Sequence, residues 1–210
     1  FDPALHAGCY YVQDASSMFL AHAINLLVNK DEPVRYLDLC AAPGGKTTTA
    51  IDALPAGSLV VANEIMSNRA QILKENLIKW GNPNCLLTCN DSAAYAPLTH
   101  FFDIIAADVP CSGEGMMRKD EEAVAQWTPA LVKECADRQR EIVDNAWQAL
   151  RPGGLFIYST CTFNRPENED IVEYLVNELG AGSIDLNPPT DWNIHTAINS
   201  TTHGYHFFPH

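Results

Sequence analysis

The chain is 210 residues long, 47% of them hydrophobic, and carries a formal net charge of −13 at pH 7. This length suits one α/β domain with a sizeable core and does not require a second domain. The excess of acidic over basic residues counts against nucleic acid as a partner, because phosphate binding draws its affinity mainly from Lys and Arg. That objection weakens only if basic surface is clustered locally or is supplied by other parts of a longer protein.

The start of the chain and its cysteines indicate a cellular setting. Phe1-Asp2-Pro3 lacks both an initiator Met and a signal-peptide profile, and no apolar run reaches the roughly 18 residues of a membrane span. We therefore expect a soluble domain cut from a longer protein. The 7 cysteines do not suit a disulfide framework in a chain of this size, so a reducing cytoplasm is expected.

The apolar pattern predicts an N-terminal helix followed by alternating strands and helices. Residues 14–29 place apolar side chains at roughly helical spacing. Later segments are typical of strands at 35–39, 58–62, 85–88, 102–107 and 154–159, and of helices at 45–53, 67–80 and 128–150. This alternation predicts an α/β fold with a doubly wound, mostly parallel sheet. Residues 34–210 would form the domain, with residues 1–33 as its helical lead-in.

The C-terminal part of the chain is less regular. A last helix is expected to start near Pro166, because acidic residues including Glu167 and Glu169 suit a first helical turn. Beyond this helix the pattern dissolves, and only residues 183–186 and 206–208 are candidates for strands.

A loop rich in small residues follows the first predicted strand. It runs through Cys40-Ala41-Ala42-Pro43-Gly44-Gly45-Lys46-Thr47. In open α/β sheets ligands bind outside the carboxyl ends of the strands, and glycines there let a ligand approach the backbone. A plain strand-to-helix turn also fits the local pattern. Two nucleotide motifs do not, because a P-loop needs glycine where Cys40 stands and the Gly-x-Gly-x-x-Gly fingerprint is absent.

Two acidic residues follow the next predicted strands. Glu64 ends the second strand, at a position where a carboxylate can accept hydrogen bonds from both hydroxyls of a ribose. Asp91, after the third strand, is similarly placed for the adenine side of such a ligand, although it fits a helix cap equally well. Together with the loop, these carboxylates favour a methyl-donor site.

Two cysteines follow the fourth and fifth predicted strands. If these strands are neighbours, Cys111 and Cys161 face one crevice together with Asp108. Elsewhere a cysteine is ordinarily a small buried hydrophobe. That role is assigned to Cys40, Cys85, Cys89 and Cys135.

A pair of thiols suits methylation of a pyrimidine carbon. C5 of the ring is a poor nucleophile, but addition of a thiolate to C6, with a proton or hydrogen bond near N3, makes C5 an enamine-like carbon that can attack a sulfonium methyl. Cysteine suits this step because its thiolate is intrinsically nucleophilic. A second group must then remove the C5 proton so that the enzyme is released. The residues alone do not decide which cysteine attacks.

At these residues the chain resembles the Sun/Fmu-type family of RNA cytosine-C5 methyltransferases, and most of all its bacterial branch acting on small-subunit ribosomal RNA. The family's cofactor loop, Asp-x-Pro-Cys segment and Thr-Cys-Thr segment are present at residues 40–47, 108–111 and 160–162. The likeness spans nearly all of residues 6–175. It implies a Rossmann-like class I fold, S-adenosylmethionine as cofactor, RNA as substrate, and a cytoplasmic enzyme without membrane or metal.

Carried over by position, the resemblance assigns roles to the residues named above. Cys161 would be the nucleophile at C6, and Cys111 would assist release of the product, which inverts the roles found in DNA enzymes. Asp108 would contact the target cytosine near N3, and Lys46 would help to hold the base. The S-adenosylmethionine site would comprise Cys40, Ala41, Ala42, Pro43, Gly44, Gly45, Lys46, Glu64, Asp91 and Asp108.

The chain departs from the family pattern in two respects. Members commonly carry RNA-binding modules beside the catalytic domain, and none is recognised in this sequence. Their seven-stranded sheet should end in a strand pair, whereas the sequence stops at Phe207-Phe208-Pro209-His210. We therefore expect weak RNA binding and an incomplete C-terminal edge of the sheet.

Two alternatives remain open from the sequence. A zinc-binding or RNA-scaffolding module could use His203, His206 and His210, or Cys85 and Cys89, but neither set gives a closed four-ligand spacing. The same methylation chemistry could act on tRNA, on another RNA or on DNA. Metal analysis would test the first alternative, and nucleoside analysis would test the second.

Overall fold

The computed structural model describes residues 2–197 and 200–208. Phe1, Pro209 and His210, which entered the expectations above, lie outside these ranges. The chain divides into two compact units, Phe1–Asp108 with Asn145–Ile157, and Val109–Asp144 with Tyr158–His210. Among the described residues, no helix combines the length and apolar character needed to cross a bilayer.

A five-stranded sheet organises the first unit. Its strands are β1 Arg35–Asp38, β2 Leu59–Asn63, β3 Cys85–Thr88, β4 Phe102–Asp108 and β5 Leu150–Ser159, whose last two residues belong to the second unit. The order is β3-β2-β1-β4-β5, and β1 pairs in parallel with β2 and β4, as β2 does with β3. The order changes direction at β1. The gap between the ends of β1 and β4 is therefore the switch point at which such sheets bind ligands.

The strands hold their places because their apolar runs are buried. Tyr36 and Leu37 in β1 and Ile105 in β4 have no exposed surface. One core cluster joins β1, β2 and β4 to the helix that contains Ile24. Burying a side chain such as Leu37 stabilises the fold by about 1.5–3 kcal/mol. This pattern, together with the parallel pairing, confirms the predicted α/β fold class.

The described residues before Asp108 form the helices α1 Pro3–His6, α2 Phe19–Leu27, α3 Gly45–Ala53 and α4 Ser67–Trp80. The predictions for α3 and α4 are confirmed to the residue. The predicted N-terminal helix over 14–29 is shorter, because a 3₁₀ turn at Ala15–Met18 precedes α2 and Val28 is extended. The turn contains two serines, whose side chains compete for backbone hydrogen bonds and lower the preference for α-helix.

The second unit contains α5 Glu121–Gln126, most of α6 Pro129–Trp147, α7 Glu169–Asn177 and an antiparallel pair, β6 His195–Thr196 with β7 Tyr205–His206. Residues 183–186 form no strand, and only the start of 206–208 does. In the described ranges the seven-stranded sheet expected from the resemblance is replaced by five strands and a separate pair. Two prolines, which cannot donate to a ladder, and Asn187 and Asn193 with positive φ interrupt this region.

Candidate functional site

The loop between β1 and α3 is tied to its neighbours through its backbone. Ala41 donates its N–H to Asn63 O at 2.7 Å, and Ala42 O accepts from Arg69 Nη2 at 2.9 Å. Asn63 also donates from Nδ2 to Leu39 O at 3.1 Å. These bonds fix the loop against β2 and α4.

Gly44 and Gly45 leave no room for side chains at the start of α3. Gly44 has a φ of 111°, which L side chains rarely adopt, and a Cβ there would lie 3.0 Å from Leu73 Cδ1. A Cβ at Gly45 would lie 2.9 Å from Gln13 Oε1. Gln13 donates from Nε2 to Gly45 O and to Thr49 Oγ1. Sequence reasoning did not single out Gln13, because a lone polar residue 32 positions from its partner gives no periodic signal.

Asp38, the last residue of β1, is a buried carboxyl that no sequence motif identified. Burial is the main cause that raises its pKa to about 7. The nearby Asp108 carboxylate adds to the rise, whereas a 2.6 Å hydrogen bond from Thr47 Oγ1 opposes it. Near neutral pH this carboxyl therefore exists in both protonation states.

Lys46 and Asp108 form an ion pair at the switch point. Lys46 lies in the first turn of α3 and Asp108 ends β4, and their Nζ and Oδ2 atoms are 2.7 Å apart. The side chains are 32% and 33% exposed. Both residues were predicted for the site, and the structure brings them together where a ligand can reach them.

Glu64 follows β2 with a buried carboxylate. Its Oε1 accepts the N–H of Met66 at 2.9 Å, and its Oε2 lies 3.2 Å from Arg69 Nη1. Within the described part of the chain, Oε2 accepts no hydrogen bond, so the contact with Arg69 is one of charge alone. This oxygen keeps acceptor capacity for a ligand hydroxyl.

Asp91 caps a 3₁₀ turn at Ser92–Tyr95. Its Oδ1 accepts the N–H of Ala93 at 2.9 Å, and the side chain is exposed. The helix-cap interpretation is therefore confirmed, and a cofactor role for Asp91 stays a prediction. Carboxylates predominate among the polar groups at the ends of β1, β2 and β4, which suits a cationic ligand that carries hydroxyls and disfavours a phosphate.

Cys111 and Cys161 are in contact within the second unit. They follow β4 and β5, which are neighbours in the sheet as anticipated. Their Sγ atoms are 3.0 Å apart, and Cys161 N lies 3.4 Å from Cys111 Sγ. The hydrogen bond to Cys161 raises the pKa of Cys111 far above that of an ordinary thiol, and burial adds to the rise. Cys161 is the more exposed of the two.

Glu114 holds the segment after Cys161. It accepts from the backbone N–H of Phe163 at 2.8 Å and from Trp127 Nε1 at 3.1 Å. Burial raises the pKa of Glu114, but these hydrogen bonds outweigh it and leave the pKa below the usual value. Next to it, Gly115 donates its N–H to Cys161 O at 2.7 Å, and a Cβ at Gly115 would lie 2.5 Å from that oxygen.

The other cysteines differ in exposure. Cys40, Cys85 and Cys135 are half-buried, and burial raises the pKa of Cys85 to about 11 and also raises that of the other two. The buried role predicted for Cys89 is wrong, because this residue is exposed. It directly follows β3, an edge strand that has a neighbour on one side only.

The histidines named for a zinc site have other contacts. His206 Nε2 lies 2.8 Å from Glu169 Oε1, and His203 Nδ1 lies 3.9 Å from Asp185 Oδ2. His210, the third member of that set, lies outside the described residues. A search of the described residues finds no group of three or more potential metal ligands.

Comparisons with known proteins show which protein family the chain matches. The family model described as 16S rRNA methyltransferase RsmB/F matches residues 24–210. Ribosomal RNA small subunit methyltransferase F of Klebsiella pneumoniae (strain 342) is 38% identical over 205 residues, which are 97% of this chain and 42% of that protein. The protein of the same name from Aliivibrio fischeri (strain MJ11) is 42% identical over 175 residues, 83% of this chain and 37% of its own. The chain thus spans about two fifths of the length of these curated relatives.

Solved structures from Pyrococcus horikoshii share the fold. The crystal structure of NSun6 with SFG has a TM-score of 0.73 at 30% identity, covering 84% of this chain and 44% of that one. A methyltransferase homolog protein has a TM-score of 0.67 at 28% identity, covering 84% of this chain and 54% of its own. The fold is therefore that of a Rossmann-like methyltransferase.

Proposed function

Because this chain belongs to the 16S rRNA methyltransferase RsmB/F family, we propose that it transfers a methyl group from S-adenosylmethionine to C5 of cytosine in small-subunit ribosomal RNA. The observation that carries the chemistry is the 3.0 Å contact between the thiols of Cys111 and Cys161. A pair of thiols in contact suits a covalent cycle on a pyrimidine, in which one attacks and the other assists elimination.

The cofactor is held by the loop and the carboxylates of the first unit. S-adenosylmethionine, when bound, supplies a methyl group on a sulfonium centre. Residues 40–46 would hold its methionine moiety, and Asp108 would offer a carboxylate to its cationic part. Glu64 accepts from the ribose hydroxyls, and Asp91 lies on the adenine side. The spare acceptor capacity of Glu64 Oε2 supports this assignment.

Cys161 is the nucleophile of the covalent cycle. Its thiolate Sγ would form a bond to C6, and the electron pair of the C5–C6 double bond would become available at C5. S-adenosylmethionine would supply the methyl group to this carbon, and its sulfur would keep the electron pair of the broken bond. The Cys111 sulfur would then take the C5 proton, the C5–C6 double bond would re-form, and the C6–Sγ bond would break to free the Cys161 thiolate. Cys111 assists this last step.

Asp108 and Lys46 orient the base. Asp108 contacts the cytosine near N3, where a hydrogen bond or proton assists addition at C6, and Lys46 helps to hold the ring. Their partial exposure supports this proposal, because both side chains are accessible beside the loop.

The partner is RNA, and the setting is the cytoplasm. All seven cysteines are free thiols, as suits a reducing compartment. Residues 34–210 constitute the methyltransferase domain, and residues 1–33 form its helical lead-in. With a net charge of −13, the chain has little general attraction for phosphates.

Nucleoside analysis tests this function. The protein is incubated with methyl-labelled S-adenosylmethionine and either small-subunit ribosomal RNA or a tRNA pool, and the RNA is digested to nucleosides. We expect label in 5-methylcytosine from ribosomal RNA with the wild type and none with Cys161→Ser. Label only in tRNA would show that tRNA, and not ribosomal RNA, is the substrate. Label on any base other than cytosine would overturn the proposed chemistry.

A further inference from the structure

Glu167 is a carboxylate with no exposed surface. It lies in a 3₁₀ turn, Arg165–Glu167, which precedes α7, and not in the first turn of that helix as the sequence suggested. A buried carboxylate is costly unless hydrogen bonds compensate for the water it loses. The donors around it therefore indicate what it does.

Four donor groups converge on the two oxygens of Glu167. Its Oε2 accepts from the backbone N–H of Ser112 and from Gln139 Nε2, both at 2.9 Å. Its Oε1 accepts from Ser112 Oγ and, at 2.7 Å, from Asn164 Nδ2. All the usual acceptor directions of a carboxylate are thus used. An amide at this position would set its own NH₂ group against at least one of these donors.

The donors connect Glu167 to the segments that carry Cys111 and Cys161. Ser112 follows Cys111 directly, and Gln139 Nε2 also donates to the carbonyl oxygen of Pro110 at 2.9 Å. Ser112, after Cys111, is therefore held by Glu167 itself, and Pro110, before it, is held by Gln139, which donates to Glu167 as well. Asn164, three positions after Cys161, ties the second cysteine segment to the same carboxylate.

Tyr158 fixes the amide of Gln139. Its hydroxyl is 3.0 Å from Gln139 Oε1 and 2.7 Å from the backbone oxygen of Glu167. The contact with Gln139 Oε1 leaves the Nε2 side of the amide directed at Glu167 and Pro110.

We propose that Glu167 is a positioning residue that holds Cys111 against Cys161, so that the second thiol is in place when the covalent cycle reaches elimination. This inference rests on the proposed function, in which the two thiols act in one cycle. Glu167 acts through Ser112 and Asn164 and does not touch the reacting atoms.

The test uses Glu167→Gln, which keeps the size of the side chain and removes one acceptor oxygen. Phenylarsine oxide, which bridges two neighbouring thiols, reports the Cys111–Cys161 contact without RNA or cofactor, and its capture by the pair should slow several-fold. With RNA and S-adenosylmethionine, the multiple-turnover rate at which methylated RNA is released should fall by roughly 100-fold, as for an ångström-scale misplacement of a reacting group. A covalent protein-RNA adduct should accumulate, as expected for Cys111→Ser.

Glu169→Gln is the matched control. It changes another buried carboxylate two residues away, whose 2.8 Å contact is with His206, and it should leave arsenical capture and adduct level at wild-type values. Ser112→Ala removes one side-chain donor and keeps the backbone bond. Ser112→Ala should also slow arsenical capture and raise the adduct level, but by less than Glu167→Gln. If Glu167→Gln does not fold, the result with Ser112→Ala decides whether Glu167 has a positioning role.

Wild-type capture of phenylarsine oxide by folded Glu167→Gln, or by Ser112→Ala if the first variant does not fold, would overturn the positioning role. A loss of methyl transfer without any adduct would also overturn it, because a general structural defect affects the first step as well. If the wild-type protein and Cys111→Ser give neither product nor adduct, the proposed function fails. The arsenical result still decides whether Glu167 sets the thiol contact.

Discussion

Asp38 shows how burial changes the behaviour of an ordinary carboxyl. In the unfolded chain it ionises near 3.8, whereas burial raises its pKa in the folded protein to about 7. Between these values the unfolded state has lost a proton that the folded state keeps, so the free energy of unfolding falls as pH rises. This decrease in the free energy of unfolding is complete above about pH 7. The shift in the pKa of Asp38 limits it to at most on the order of 4 kcal/mol.

Asp38→Asn should therefore stabilise the cofactor-free protein at alkaline pH. The amide oxygen can still accept from Thr47 Oγ1, and no buried charge needs to form. Urea unfolding at pH 5 and pH 8 should give a variant whose advantage over wild type grows with pH. Asp52→Asn, at an exposed carboxylate on α3, is the control and should show no such trend. An equal effect of Asp38→Asn at both pH values would contradict the account.

Glu64→Ala should weaken binding of S-adenosylmethionine. Loss of the carboxylate would remove the proposed acceptor for the ribose hydroxyls, at a cost of about 1.5–3 kcal/mol for hydrogen bonds to a charged group. Titration calorimetry measures this directly, with Glu75→Ala on the exposed side of α4 as the control. Unchanged affinity in Glu64→Ala would show that the ribose is bound elsewhere.

At the scale of elements, the start of α3 depends on a glycine at position 44. Alanine there would strain a backbone with positive φ by about 1–2 kcal/mol and would press on Leu73. Gly81→Ala is a matched control, since Gly81 has a φ of 73° at the end of α4 and a Cβ there would meet nothing within 4 Å. Both variants should lose stability in thermal unfolding, but only Gly44→Ala should bind S-adenosylmethionine more weakly in calorimetry. Equal affinity in the two variants would contradict a role for this turn in cofactor binding.

The elements on either side of the loop between β1 and α3 were predictable from the sequence for a physical reason. Strands buried on both faces appear as continuous apolar runs, and crossover helices appear between them, so the bounds of α3 and α4 and four of the five strands agree within a residue. The fifth strand starts four residues earlier than predicted, at Leu150. Its first residues include Pro152 and two glycines, which are typical of turns but are tolerated in an edge strand.

The groups that hold the cysteines could not be predicted in the same way. Glu167 belongs to an acidic run that looks like the exposed first turn of a helix, and its burial depends on partners up to 55 positions away. Gln13 and Asp38 likewise gain their roles only from tertiary contacts. Motif spacing identified Cys111 and Cys161, but no sequence pattern reports which buried carboxylate supports them.

For the whole molecule, the net charge of −13 predicts weak binding to RNA. Phosphate contacts release counterions, so affinity should fall as salt rises between about 50 and 200 mM. Fluorescence anisotropy with a small-subunit RNA fragment measures this, and the longer curated relatives should bind more tightly under the same conditions. Binding as tight as theirs would show that this chain has a basic surface sufficient for RNA recognition.

The central claim is that Cys161 attacks and Cys111 assists release. Denaturing electrophoresis of the protein with RNA and S-adenosylmethionine tests it by showing covalent adducts. Cys161→Ser should form none, because a hydroxyl is a far poorer nucleophile near neutral pH. Cys111→Ser should accumulate an adduct that survives denaturation, because attack and methyl transfer still occur while elimination is slow. An adduct in Cys161→Ser and none in Cys111→Ser would show that Cys111 is the nucleophile and Cys161 assists release. The absence of any adduct, even with RNA that contains 5-fluorocytosine, would contradict covalent catalysis.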